Sequence, residues 1–329
     1  MPEILVLSRA EIAPLIDHDR LIEAVADAMA EFSAGRASMP ARNAAIVADR
    51  GALLAAMPAY LPSAKVLETK LVSVFPRNTE QPSHQAVIVV FDPETGTPIA
   101  LIDGEEITAA RTAAGSALAT RLLARSDARV LAILGTGVQA RSHLLAVSRV
   151  RPFTEIRVAG RDPAKARALA AEVAHEVKPP VRAVATFADA MRGADVVCGT
   201  THPHDPVIRR DALADGVHVN SVGFAVDGRE VDARTVADAL VVVESRAAAL
   251  APPPGGCNDL VWAIRDGAIT ADHVRTEIGE LVSGTKPGRT SPSQITLYKS
   301  VGVAVQDAAA AALVLAAARE RGVGRTVTI

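Results

Sequence analysis

The sequence predicts an α/β protein: a doubly wound parallel sheet joined to a second, α+β domain. Three observations carry that expectation. From Val130 onward, strand-like and helix-like segments alternate, the pattern of a parallel sheet with helices on both faces. Before Val130, strand-like segments follow one another with few helices between them, the pattern of a mostly antiparallel sheet. Between the two lies Val130-Leu-Ala-Ile-Leu-Gly-Thr-Gly-Val-Gln-Ala140, in which an apolar strand runs into a tight glycine turn and then a helical pattern.

In chain order, 4–7 is a short apolar strand. Residues 17–32 form an amphipathic helix with Leu21, Ile22, Val25, Ala28, Met29 and Phe32 on one face. Strands are expected at 44–48, 52–57, 66–75, 86–91 and 98–102, separated by turn signals such as Pro76-Arg-Asn78 and Pro93-Glu-Thr-Gly96. A long helix is expected over 107–124. Strands then fall at 130–134, 155–159, 181–185, 195–200, 217–222 and 239–243, with helices from Val138 and from Pro163. The alanine-rich tail, 294–318, reads as a helix that packs back on the first domain. The domains expected are thus 1–120 together with 305–329, and 121–304. Residues 251–256, Ala-Pro-Pro-Pro-Gly-Gly, read as an exposed loop.

Composition narrows the function. Hydrophobic residues make up 49% of the 329 residues but aromatics only 3%, so the core must be aliphatic. A net charge of −2 without blocks of like charge argues against nucleic acid and anionic membranes as partners. The eight histidines show no metal spacing, and His202-Pro-His204 reads as loop, so no metal is expected. Cys198 and Cys257 carry no redox spacing and read as a small buried residue and an incidental loop thiol. With no signal peptide or membrane span expected either, the cytoplasm is the anticipated location.

The glycine turn Gly135-Thr136-Gly137-Val138-Gln139-Ala140 has a mechanical reading. The first glycine permits the turn, the second lets a pyrophosphate approach, and small Ala140 lets helix pack on strand. The helix N–H groups then face phosphates, which points to a dinucleotide-using enzyme with a Rossmann-type domain. After the second strand of this domain come Arg161 and Lys165, two cations suited to a 2′-phosphate, so NADPH is the preferred cofactor. Asp162 beside them keeps NADH open. Thr200-Thr201 and Asn220-Ser221-Val222-Gly223 end later strands at the sheet edge where such folds bind ligands.

Arg111 lies on the apolar stripe Ile107, Ala114, Leu118, Leu122. A cation there must meet an anion: a protein carboxylate, a substrate carboxylate or a phosphate. Lys70 shares a strand face with Val66, Glu68, Val72 and Val74, and reads either as half of a surface ion pair or as a pocket lysine with a lowered pKa. Arg42 alone reads as a loop arginine. Ser142 and His143 lack the context of a serine nucleophile.

The chain resembles the ornithine cyclodeaminase/mu-crystallin family over nearly its whole length. The resemblance rests on Met39-Pro-Ala-Arg42, Met57-Pro-Ala-Tyr60, Lys70-Leu-Val-Ser-Val-Phe-Pro-Arg-Asn78, Leu101-Ile-Asp-Gly104, Ile107-Thr-Ala-Ala-Arg-Thr-Ala-Ala114, the glycine turn, Val219-Asn-Ser-Val-Gly223 and Lys299-Ser-Val-Gly-Val-Ala-Val-Gln-Asp307. It implies a substrate-binding domain that forms a homodimer, beside the dinucleotide domain. It places Arg42, Lys70 and Arg111 around a substrate carboxylate, with Lys70 and Arg111 catalytic. It places Thr112 near the cofactor phosphates, and Gly135, Gly137, Val138, Gln139, Arg161, Thr200, Val222 and Gly223 around the dinucleotide. The cyclodeaminases carry an aspartate where this chain has Ala225, with Asp227 two residues on, and the position that reads a distal amine is apolar here, around Met57. The resemblance therefore implies NAD(P)H-dependent reduction of a cyclic ketimine carboxylate to L-proline or L-pipecolate. Ornithine cyclodeamination and amino-acid dehydrogenation are the alternatives.

Overall fold

The computed structural model describes residues 3–328. The chain divides into two compact units: the first ends at Arg111 and resumes at Val303, and the second is Thr112–Gly302. The first unit begins with β1 (Glu3–Leu7), α1 (Arg9–Ile12) and α2 (His18–Ser33), continues through β2 (Asn43–Val47), β3 (Ala52–Leu61), β4 (Val66–Val74), β5 (His84–Phe91) and β6 (Pro98–Asp103), and enters α3 (Gly104–Leu123). Asp17 caps α2 by accepting from the N–H groups of Asp19 and Arg20. Strand β3 runs four residues beyond the Met57 end that the sequence suggests, through Pro58. Its pairing with β2 stops at Ala56, so the missing N–H of Pro58 costs no ladder bond on that side. Helix α3 starts three residues early, because the Asp103 carboxylate accepts from Glu106 N–H at 2.8 Å and acts as its cap.

The second unit contains β7 (Val130–Leu134), α4 (Val138–Val147), β8 (Glu155–Ala159), α5 (Pro163–Val173), β9 (Val181–Ala183), α6 (Phe187–Met191), β10 (Val196–Gly199), β11 (His218–Ser221), α7 (Ala233–Asp238), β12 (Leu240–Val243), α8 (Arg246–Ala249), α9 (Asn258–Arg265), β13 (Thr276–Glu277), α10 (Ile278–Val282) and β14 (Thr296–Lys299). Its eight strands lie in the order β13-β12-β14-β11-β10-β7-β8-β9, and every pair is parallel. The order reverses at β7, so the glycine turn after β7 sits at the switch point. Strand β14 corrects the sequence reading of 294–318 as one helix. Thr296–Lys299 is a fully buried strand between β11 and β12, and its four residues are too few to tell strand from helix by periodicity. The thiol of Cys257, expected in a loop, is buried at the start of α9. Residues 251–256 are mostly half-buried rather than exposed.

After Gly302 the chain returns to the first unit as α11 (Ala304–Arg321) and β15 (Arg325–Thr328). The seven-stranded sheet there has the order β15-β1-β6-β5-β4-β3-β2, antiparallel except for the β1–β6 pair. Helix α11 packs on α2, β3 and β4 and covers the inner face of this sheet. The outer face carries Leu54, Val87 and Leu101 in the open, at 48%, 40% and 36% exposure. Leu71 is paired with Val87, and Val89 with Leu101, on the same outer face. No helix among the described residues is long and apolar enough to cross a membrane.

Candidate active site

In the first unit, Lys70 stands on the buried face of β4, between Met57 on β3 and Ile88 on β5. Asn43 pairs with Ala56, so Arg42, half-buried just ahead of β2, stands level with Met57. Lys70 is 1% exposed, which removes the surface ion pair as its explanation. Its Nζ lies 2.7 Å from Asp307 Oδ2 and 3.4 Å from Thr108 Oγ1. Arg111, on α3, donates from Nε to Asp307 Oδ1 at 2.9 Å and from Nη1 to Gln306 Oε1 at 3.4 Å. The anion that Arg111 requires is thus supplied, at least in part, by the protein. Asp307 sits one turn into α11 and is fully buried between two cations. Burial opposes its charge, but Arg111 and Lys70 outweigh burial and hold its carboxyl below the usual range. Burial brings the Lys70 ammonium down to about 8, against the pull of Asp307. A lysine so poised can give and take a proton near neutral pH.

Asp307 has a sequence signal that went unused. It is the lone acid in the first three turns of an alanine-rich helix, the counterpart of a lone arginine in an apolar stripe.

In the second unit, the turn after β7 is built to receive an anion. Gly135 has φ +130°, open to glycine, and any Cβ there would strike Thr200. Thr200 is itself fixed by donation from Oγ1 to Leu134 O at 2.9 Å. A Cβ at Gly137 would meet open space. Gly137 offers no side-chain cap to α4, so the first N–H groups of that helix are left for an anion. Val138 is 55% exposed beside them, Thr136 and Gln139 are half-buried, and Ala140 is buried against the strand. These features fit the pyrophosphate of a dinucleotide. Thr112 is buried on α3. Just past β8, Arg161 is exposed, as is Lys165 in the first turn of α5, whereas Asp162 caps α5 by accepting from Ala164 N–H at 2.8 Å.

The ends of β10 and β11 are tied by a residue that sequence reasoning did not assign. Glu230 Oε1 accepts from the N–H and Oγ1 of Thr201, both at 2.7 Å. Its Oε2 accepts from Ser221 Oγ at 2.7 Å and Gly223 N–H at 3.0 Å. Lys299 Nζ donates to Gly223 O and Ser221 Oγ at 2.7 and 3.1 Å, and pairs with Asp259 at 2.9 Å. Asp259 in turn accepts from the N–H groups of Glu230 and Val231. Thr201 and Ser221 thus spend their hydroxyls inside the protein. Val222 is held by its N–H to Gly199 O at 3.0 Å. A side chain at Gly199 or Gly223 would collide with the Glu230 carboxylate, so both glycines make room for it. Beyond Gly223, Asn258 Nδ2 donates to the carbonyls of Ala225, Val226 and Gly228, and Asp227 is exposed.

Residues 3–322 match the sequence profile of the ornithine cyclodeaminase/mu-crystallin family. The chain belongs to that family. Among its members, Δ1-pyrroline-2-carboxylate reductase of Bacillus cereus is 35% identical over 327 residues, 98% of this chain and 99% of that one. Mouse ketimine reductase mu-crystallin is 37% identical over 300 residues, 89% of this chain and 90% of that one. The fold superposes on Thermococcus litoralis Δ1-pyrroline-2-carboxylate reductase, solved in complex with NADH and L-proline, with a TM-score of 0.94 at 37% identity, covering 98% of this chain and 100% of that one. Family membership explains the α/β architecture.

Proposed function

We propose that this protein reduces a cyclic ketimine carboxylate, Δ1-pyrroline-2-carboxylate or its six-membered homologue, to L-proline or L-pipecolate. The observation that carries the reading is the buried pair Lys70 and Arg111 on Asp307, in a chain of this similarity to reductases of that imine. A planar imino acid offers a carboxylate and a ring nitrogen. Arg111 and Arg42 bind the carboxylate, with the Arg111 fork oriented by Asp307 and Gln306. Met57 lines the apolar side of the ring. Lys70 gives a proton to the ring nitrogen as the C=N bond is reduced. The bound nicotinamide supplies the hydride.

Gly135, Gly137 and the start of α4 hold the pyrophosphate in this reading, with Thr112, Thr136, Val138, Gln139, Thr200 and Val222 around the dinucleotide. Thr201, Ser221 and Gly223 shape the site through Glu230. NADPH is preferred over NADH because Asp162 is engaged as a helix cap while Arg161 and Lys165 stand in solvent. Ala225 in place of the cyclodeaminase aspartate, with Asp227 exposed, favours reduction over ornithine cyclisation. We further propose a homodimer formed through the outer sheet face of Leu54, Val87 and Leu101, since exposed apolar sheet faces mark contact surfaces. In sedimentation analysis Val87→Asp should convert dimer to monomer. Two buried thiols suit a cytoplasmic location.

The test is turnover of purified protein with reduced cofactor and either cyclic imine, alongside ornithine. Loss of reduced cofactor with appearance of L-proline or L-pipecolate supports the reading. Ammonia from ornithine with no net cofactor change overturns it in favour of cyclodeamination.

A further inference from the structure

Glu68 stands two residues before Lys70 on the same buried face of β4. It is 1% exposed, and neither carboxyl oxygen has a hydrogen-bond partner among the described residues. Across the sheet it faces only Ala59 on β3 and Val90 on β5. The charged groups acting on it are Asp307 on α11, Lys70 on its own strand and Arg111 on α3. His84, at the start of β5, lies in the field of the same three groups. A buried carboxylate without donors is costly, and a buried carboxylic acid much less so.

A charge count gives this residue a task. Among the fully buried groups, which leave out half-buried Arg42, Lys70 and Arg111 against Asp307 leave one net positive charge if Glu68 is neutral. A substrate carboxylate docking there brings the cluster to neutrality. Were Glu68 ionised, the buried cluster would already be neutral and would offer the substrate carboxylate no net attraction of its own. When the ring nitrogen takes up its proton it becomes positive, and an ionised Glu68 then restores the balance. The reaction consumes one proton, and Glu68 has one to give.

We propose that Glu68 is the proton store of this site, a positioning residue that acts through Lys70. Lys70 Nζ–H protonates the ring nitrogen of the docked imine, and the carbon–nitrogen π bond accepts hydride at carbon from the reduced nicotinamide. The Glu68 side chain, which meets no hydrogen-bond partner among the described residues of the resting site, swings to the neutral Lys70 amine and hands over its O–H proton, leaving Glu68 as carboxylate. Solvent returns a proton to Glu68 after the amine departs. Burial and the neighbouring Asp307 push the Glu68 carboxyl well above its usual range, against Lys70 and Arg111, in keeping with a stored proton.

This rests on the imine-reductase reading, and the test separates the two. Infrared difference spectra of ligand-free wild type against Glu68→Gln at neutral pH should show a protonated-carboxyl carbonyl band that the variant lacks; no such band overturns the proposal whatever the substrate. In imine reduction, Glu68→Gln should lower kcat about 100-fold, the lower end for general-acid effects, with KM within about twofold. Glu68→Asp should recover part of kcat, and it supplies the spectral comparison should the glutamine variant fail to fold. An unchanged kcat, or a loss confined to KM, overturns the proposal. A wild type that shows the band yet reduces no cyclic imine refutes the assigned substrate and the relay drawn for it, while leaving the buried acid established.

Discussion

Arg111 Nε donates to Asp307 Oδ1 at 2.9 Å across 196 positions of sequence, joining α3 to α11 inside the first unit. The other oxygen of Asp307 holds Lys70. One carboxylate thus orients two cations and sets the charge of the site. Asp307→Asn leaves both cations without their buried anion and should destabilise the fold by about 3–5 kcal/mol, read as a lowered denaturation midpoint.

The same pairing fixes a pH dependence. Lys70 titrates at about 8, and its protonated form is the donor for reduction. The rate of imine reduction should therefore hold below pH 8 and fall as pH rises through it, with amine oxidation gaining over the same range. Asp307 raises the Lys70 value, so in any folded Asp307→Asn protein the falling limb should move to lower pH. A limb that stays in place in this variant removes Lys70 as the titrating group.

Arg161 and Asp162 stand side by side at the end of β8 with different duties. Arg161→Ala should weaken NADPH use far more than NADH use, measured as kcat/KM for each cofactor. Equal losses would contradict the assignment of Arg161 to the 2′-phosphate.

Glu230 accepts four hydrogen bonds from Thr201, Ser221 and Gly223. In Glu230→Gln one oxygen becomes an NH2 group that cannot accept from Gly223 N–H. Loss of one hydrogen bond to a buried charge predicts a stability decrease of about 2 kcal/mol and weaker dinucleotide binding, by denaturation and by cofactor titration. Full affinity in the variant would show that the strand ends do not depend on this tie.

Two fully buried histidines contribute to the acid side of stability. Burial holds His143 at about 4 and His218 at about 3, so both are neutral in the fold. In the unfolded chain they protonate near 6.5. Their contribution is complete above that pH and is lost as pH falls, at about 1.4 kcal/mol per pH unit for each. Denaturation between pH 6.5 and 4 should show this slope, and His143→Gln should reduce it by one histidine's share.

Local signals made much of this legible. The turn at Gly135 is short-range chemistry, and strand, turn and helix all fall within one run of sequence. Arg111 and Lys70 announced themselves as charges on apolar faces. What they meet was hidden, since Asp307 reaches them only through the return of α11 to the first sheet. Glu230 was hidden for the same reason: its partners come from the ends of two other strands. Strand β14 was absorbed into the alanine-rich helix after it because four residues, Thr296-Leu-Tyr-Lys299, are too few to show a period of their own. Glu68 was visible only as half of a charge pair. Its burial without donors is a property of the packed sheet.

The most direct test is single turnover of Δ1-pyrroline-2-carboxylate with reduced cofactor deuterated at the transferring position of its nicotinamide. One deuterium on the carboxylate-bearing carbon of L-proline, matched by one oxidised cofactor, is the predicted result. Unlabelled product, or no consumption of the imine, would contradict the assignment of this chain as a cyclic ketimine reductase.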